Sequence, residues 1–259
     1  MTDFEHVQLD IENRVGWLAY NRPPINAFNW KMVREVHQGV QRYLADDGVR
    51  VIVLASALER FFSAGAEIAE FDDLGGAGMR DWVEMVHELA QTLRHSEKPL
   101  LAAINGTAVG GGLEMTLHCD LRFVSTDARL GQPEININFI PPIGATQALS
   151  RLIGRSQAIR LLYDGDLITA QNAQEIGLVD TLVAPEDLRG EVQAYGESLA
   201  AKPREALAAI RQSITLGGGL SFDDGLAMEA EHVVRLADTE NFREGVRAFM
   251  GKRAPQWQD

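Results

Sequence analysis

Residues 105–134 read NGTAVGGGLEMTLHCDLRFVSTDARLGQPE. The apolar run Leu100 to Ile104 leads into them, and Gly110-Gly111-Gly112 is followed by Leu113, Met115 and Leu117 at helical spacing. That pattern is a strand, a glycine turn and the start of a helix. Glycine lets a backbone N–H approach a ligand that a side chain would block. The free N–H groups of a helix start are aimed at negative charge. The stretch therefore reads as an oxyanion-binding turn with a carboxylate, Glu114, one turn away and a second, Glu134, at its end.

Outward from this stretch, strand and helix signals alternate. Val7 to Glu12 and Val15 to Tyr20 read as a hairpin turning at Asn13-Arg14. The loop NRPPINAFN (21–29) precedes a helix with Val33, Val36, Val40 and Leu44 on one face. Val49 to Ala55 is a nearly unbroken β-branched run, as in a strand buried on both sides. Gly75 to Gly78 reads as a mobile turn, with a candidate lid role, before a helix carrying Trp82, Val86, Leu89 and Leu93. Strand–helix alternation predicts an α/β core with parallel strands. After Pro142 come short helices at Ala148–Leu152, Ala158–Leu162 and Ala170–Ile176, then a strand at Leu178–Val183. From Pro185 the chain reads as four helices, broken at Lys202-Pro203, at Gly217–Gly219 and near Asp238, with Ser221 and Asp224 as a capping pair. No internal repeat is visible. The expected division is a core over 1–190 and a helical C-terminal subdomain over 191–259.

Composition narrows the function classes. The 259 residues are 46% hydrophobic and 24% charged, as in an ordinary globular protein. A net charge of −13 argues against general binding to nucleic acid or to acidic membranes. No apolar stretch approaches the ~20 residues of a membrane span. The acidic start MTDFEHVQLD shows no signal peptide, and the single Cys119 suits a reducing compartment; a cytoplasmic location is expected. The six histidines (6, 37, 87, 95, 118 and 232) form no metal-ligand spacing, so no metal is expected. Met115 stands where a dinucleotide fingerprint needs its last glycine, and no Walker-type lysine follows.

Glu114 has two readings. Among apolar neighbours it lies either on the solvated face of its helix, as an average glutamate does, or partly buried with a raised pKa. The three glycines shift the balance towards function. Glu134 draws interest through its pairing with Glu114, since two carboxylates across one cavity can divide acid and base roles. Ser63-Ala64-Gly65-Ala66 offers a second backbone N–H, although by itself it reads as an ordinary tight turn. Ser63 lacks the flanks of a nucleophile elbow.

These segments resemble the enoyl-CoA hydratase/isomerase (crotonase) superfamily. NRPPINAFN, FFSAGAEIAEF, KPLLAAINGTAVGGGLEMTLHCDLRF, LGQPEININFIPPIGATQALSRLIG, ITAQNAQEIGLVDTLV and REGVRAFMGKR run in family order over nearly the whole chain. The resemblance implies repeated ββα units with a helical C-terminal part that trimerises, in trimers or dimers of trimers. It implies an acyl-CoA thioester as substrate, with no metal and no further cofactor. By position, Ala66 and Gly111 match the backbone donors to the thioester oxygen, and Ala64 the residue whose backbone meets the adenine. Glu114 and Glu134 match both catalytic glutamates of the family's hydratases. Phe249 and Lys252 match a CoA contact often made from a neighbouring subunit. Δ3,Δ2-enoyl-CoA isomerase, CoA-thioester hydrolase and a non-catalytic CoA-binding relative remain as alternatives.

Three departures from the family pattern carry expectations. Pro142 has no N–H, so a backbone contact near the reacting centre is expected to be lost. Ile143 adds bulk to the acyl pocket, while Asn136 and Asn138 add polar groups suited to an oxygenated acyl chain. Ala69 and Pro24 stand where many relatives have basic residues, which leaves Arg22, Lys252 and Arg253 as candidates for the CoA phosphates.

Overall fold

The structure is a computed structural model and describes residues 4–258. Val7–Glu12 (β1) and Val15–Tyr20 (β2) pair antiparallel, Val7 opposite Tyr20. Asn13 and Arg14 both have positive φ, 46° and 72°, which matches the twist of a two-residue hairpin turn. The Asn29 side chain then caps Trp30–Ala45 (α1) by accepting from the Met32 N–H, and Val33, Val36 and Val40 face the core.

Three ββ units follow, each leading into helical structure. Val51–Ser56 (β3) and Phe61–Ser63 (β4) precede Gly75–Arg94 (α2). Leu100–Ile104 (β5) and Thr107–Val109 (β6) precede Gly111–Thr116 (α3). Leu121–Ser125 (β7) and Arg129–Gly131 (β8) lead through a 3-10 turn at Pro133–Ile137 to Ala145–Leu152 (α4) and Gly154–Asp164 (α5). Ile168–Thr169 (β9), Ala170–Glu175 (α6) and Thr181–Val183 (β10) come next. The first strand of each unit enters a sheet of order β1-β2-β3-β5-β7-β10, and the second enters a smaller sheet, β4-β6-β8-β9. From β2 to β10 the larger sheet is parallel. The α/β class with a repeated ββα core is as expected. The repeat escapes the sequence because its helices differ so much: α2 has 20 residues and α3 has six.

β3 is buried on both faces. Ile52 and Leu54 join the core beneath α1 and α2. Val51, Val53 and Ala55 join Trp17, Leu101 and Ala103 beneath Leu188–Ala200 (α7), which contributes Leu188, Val192 and Ala200. Arg204–Thr215 (α8), Phe222–Ala237 (α9) and Glu240–Met250 (α10) complete the chain, with breaks where the sequence places them. Ser221 Oγ accepts from the Asp224 N–H at 3.2 Å and donates to its carboxylate at 2.6 Å. Among the described residues no helix is long and apolar enough to cross a membrane.

One expectation is corrected. Gly75 to Gly78 is the first turn of α2 and not a separate mobile turn. The buried stripe Trp82, Val86, Leu89 and Leu93 anchors the helix, and adding a turn to an existing helix is far easier than starting one. Local glycine content loses to that cooperativity.

The two kinds of glycine can be told apart by experiment. A Cβ on Gly112 would lie 2.6 Å from Ser63 Cβ and 2.7 Å from its carbonyl oxygen, whereas one on Gly76 meets nothing within 4 Å. Gly112→Ala should lower unfolding stability by about 1–3 kcal/mol. Gly76→Ala should raise it by about 0.4–1 kcal/mol. Urea unfolding at one fixed protein concentration compares them. A Gly112→Ala midpoint equal to wild type would mean that α3 and β4 are not locked together.

Candidate active site

Two backbone segments meet at the head of α3. Gly65, at φ +83°, lies against Val109 to Gly111; a Cβ there would sit 3.0 Å from Val109 O and 3.4 Å from Gly111 N. Only glycine permits that approach at that φ. Phe28 bridges to Ala66 through Phe28 N–H to Gly65 O (2.7 Å) and Glu67 N–H to Phe28 O (2.9 Å). The Ala66 N–H therefore points away from this bridge. Gly111 is the first residue of α3, where a backbone N–H has no acceptor inside the helix. The segments that carry Ala66 and Gly111 thus adjoin through Gly65.

Both glutamates come to this point. Gly110 has φ +51°, and a Cβ on it would lie 2.7 Å from Glu134 Oε1. Glu114 is fully buried within α3 and Glu134 is 9% exposed in the 3-10 turn after β8. Of the two readings of Glu114, burial is the one realised. Its Oε1 accepts from the N–H groups of Ile143 (2.8 Å) and Ala145 (3.0 Å). Its Oε2 is buried without a protein partner. Burial pushes Glu114 up to about 8; the nearby Glu134 adds to this, and the two N–H groups oppose it. Burial pushes Glu134 up to about 7, against the pull of its own backbone N–H. Gln132, with its amide nitrogen turned towards Glu134, reaches Oε2 at 3.1 Å and Oε1 at 3.2 Å.

Pro142 has no N–H to offer, and the donors that reach Glu114 Oε1 come from the residues after it. Ile143 and Ala145 supply the donors, and Pro142 contributes its carbonyl, which takes a hydrogen bond from His87 Nε2 at 2.8 Å. Ile143 does add bulk: it is buried, and its Cδ1 would lie 3.2 Å from a Cβ on Gly111. Asn136 and Asn138 are exposed on the 3-10 turn and its end.

The remaining candidates are placed less tightly. The Ala64 N–H is engaged by Ile25 O at 2.9 Å. Arg22 Nη1 is paired with Glu67 and with Ala27 O, both at 2.9 Å, so its charge is already partnered within the loop. Arg253 is paired with Glu244 at 2.6 Å. Phe249 is 87% exposed and Lys252 lies exposed just past α10. Phe249 borders a cavity of about 350 Å³ with Leu236, Phe242, Val246 and Trp257, apart from the glutamates. Among the described residues no cluster of His, Cys, Asp and Glu could hold a metal.

Some site residues escape a reading of the sequence. Asn26, at φ +52° and fully buried, donates to Ser56 Oγ (2.9 Å) and Phe62 O (3.0 Å) and accepts from the Arg22 N–H (2.7 Å), which fixes the loop opposite Gly65. Its place among prolines was the only signal. His118 donates to Ile143 O at 2.8 Å, a pairing across 25 residues that no spacing rule reveals. Gln132 precedes its own partner by two residues and reads as part of a turn.

Known proteins are similar to this chain over nearly its whole length. The family described as "Enoyl-CoA hydratase/isomerase" matches residues 10–259. The crotonyl-CoA hydratase of Syntrophomonas wolfei is 32% identical over 251 residues, covering 96% of each chain. The 2,3-dehydroadipyl-CoA hydratase of Escherichia coli is 36% identical, covering 95% of this chain and 96% of its own. Among solved structures, the enoyl-CoA hydratase of Bacillus anthracis superposes with a TM-score of 0.93 at 31% identity, over 98% of this chain and 99% of its own. The buried glutamate pair, the paired backbone segments and the ββα repeat sit in a chain that belongs to the enoyl-CoA hydratase/isomerase family.

Proposed function

We propose that this enzyme is an enoyl-CoA hydratase, a lyase that adds water across the double bond of a 2-enoyl-CoA thioester. The observation that carries the reading is a pair of buried carboxylates beside two adjoining backbone segments with outward N–H groups. Relatives named for hydration of crotonyl-CoA and 2,3-dehydroadipyl-CoA support it.

In this reading the N–H groups of Ala66 and Gly111 hold the thioester oxygen. Their bonds strengthen as enolate charge builds there, and one such donor lowers the barrier by about 2.7–4 kcal/mol. Water attacks Cβ while Glu114 takes its proton. The π electrons move towards the thioester oxygen, and Glu134 then gives its proton to Cα. The scheme needs one proton on the pair, and two carboxyls raised to about 8 and 7 keep one near neutral pH. A water donating to Glu114 Oε2 relieves the burial that raises this group most. The two N–H bonds to Oε1 remain and favour a carboxylate, so Glu114 becomes the base and Glu134 the acid. Two held carboxylates count for hydration over an isomerase, which needs a single proton shuttle.

The CoA moiety is assigned to the Ala64 backbone, with Arg22 near the phosphates and Phe249 and Lys252 reaching in from a neighbouring subunit. Assembly into trimers, or dimers of trimers, suits α9, which buries none of its residues in the single chain. Phe222 and Val234, on α9, are 81% and 65% exposed. Sedimentation should show particles of three or six chains; a monomer at micromolar concentration would refute this assembly. A cytoplasmic setting fits the lone Cys119, whose thiol burial pushes up to about 12.

Glu114→Gln and Glu134→Gln should each slow crotonyl-CoA hydration by about 10²–10⁴-fold with little change in melting temperature. Loss of the enoyl absorbance without thiol release identifies hydration, and thiol release identifies hydrolysis. Wild-type turnover in both variants would remove the two-glutamate scheme.

The raised carboxyls also leave a stability signature. Between the unfolded value near 4.5 and the folded values near 7 and 8, the folded protein binds more protons than the unfolded chain. Their contribution is full below about 4.5 and is lost as pH rises through 7 to 8. The ligand-free melting temperature should therefore fall over that window, and the slope should shrink in Glu114→Gln. An equal slope in the variant would place the proton elsewhere.

A further inference from the structure

The turn Pro141 to Ala145 holds the catalytic glutamate, and something must hold the turn. Pro141 and Pro142 have no N–H to give. Gly144 is at φ +104°, outside regular structure. Two histidines grip successive carbonyls: His87 of α2 meets Pro142 O at 2.8 Å, and His118, just past α3, meets Ile143 O at 2.8 Å. Carbonyls only accept, so each Nε2 carries the proton. The His118 Nδ1 is buried without a partner, and burial holds its ring down to about 4, so it is neutral and in one tautomer. Gly144 lies against that ring; a Cβ there would be 3.5 Å from His118 Cε1.

The Pro142–Ile143 peptide stands between two partners. Its carbonyl accepts from His87, and its N–H donates to Glu114 Oε1 at 2.8 Å. A hydrogen bond to a peptide oxygen polarises the unit and strengthens what its N–H donates. His118 holds the next peptide, Ile143–Gly144, which lies between the peptides that carry the Ile143 and Ala145 N–H groups; the Ala145 N–H lies 3.0 Å from the same oxygen.

We propose that His87 and His118 are positioning residues: they clamp the Pro142–Ile143–Gly144 turn so that its N–H groups keep Glu114 available as a carboxylate. The clamp is a property of the protein; its effect on turnover rests on the hydratase reading. The charged group facing Glu114 is Glu134. Those facing His118 are Arg94, Arg211 and His87, all of which oppose a charge on its ring.

The test separates the clamp from the reaction. The carboxyl carbon of Glu114 is followed by ¹³C NMR against pH in the ligand-free protein, assigned by its loss in Glu114→Gln. His87→Ala should raise the titration midpoint by about half a pH unit. His87→Gln, which restores a donor, should return it towards wild type. His118→Leu should raise it by about one unit, since the aim of both N–H groups is lost. The acid limb of kcat/KM for crotonyl-CoA should move with the midpoint in each case. His87 is exposed, so the His87 pair decides the matter even if His118→Leu fails to fold. A folded His87→Ala protein with an unmoved Glu114 midpoint overturns the proposal. Wild-type protein that titrates as described yet does not hydrate crotonyl-CoA would overturn the hydratase reading and leave the clamp standing.

Discussion

The site depends on one close approach: the backbone after β4 lies in van der Waals contact with the backbone after β6. Gly65 rests on Val109 to Gly111, and Gly112 rests on Ser63. A Cβ at Gly112 would force Ser63 to shift, and one at Gly65 would crowd the backbone of Val109 to Gly111. The adjoining strands come from different units of the repeat, and they pair in parallel within the smaller sheet. The large sheet sets the separation of the units, and the small sheet brings their ends together.

That contact also explains where the carboxylates sit. Glu114 must follow within one turn of Gly111, because α3 is only six residues long. Its helix is buried along its whole length, so the carboxylate has no solvated face to occupy. Burying a carboxylate is costly unless donors meet it. The fold meets half of that need with Ile143 and Ala145 and leaves Oε2 open. Glu134 arrives from the next unit, with its Oε1 in the space that the missing side chain of Gly110 leaves free. Burial raises both carboxyls, and for Glu114 the two N–H groups only partly oppose it.

Much of this was legible in the sequence where a feature is local. The Asn13-Arg14 hairpin, the cap at Ser221 and the breaks among the C-terminal helices follow from neighbouring residues. Gly75 to Gly78 misled because a glycine run lowers helix propensity by only about 1 kcal/mol per residue, which a buried stripe overrides. Pro142 announces a missing N–H, but which of its neighbours donate to Glu114 depends on the path of the turn and not on local sequence. Contacts between distant residues, such as His118 with Ile143 O, leave no pattern in a single chain.

The same reasoning bears on what Pro142 is for. A proline fixes its own φ and so reduces the freedom of the turn. Its carbonyl is held by His87, and Ile143 packs near Gly111. A flexible glycine turn could satisfy Glu114 equally well in the folded state but would pay more entropy to do so. The bulk of Ile143 reduces the space beside Gly111, where the acyl chain of a thioester held by that N–H would begin. Rigidity beside Glu114 and bulk beside Gly111 thus come from adjacent residues of one turn, so a substitution at Ile143 that leaves Glu114 undisturbed must keep the Ile143 N–H 2.8 Å from its Oε1.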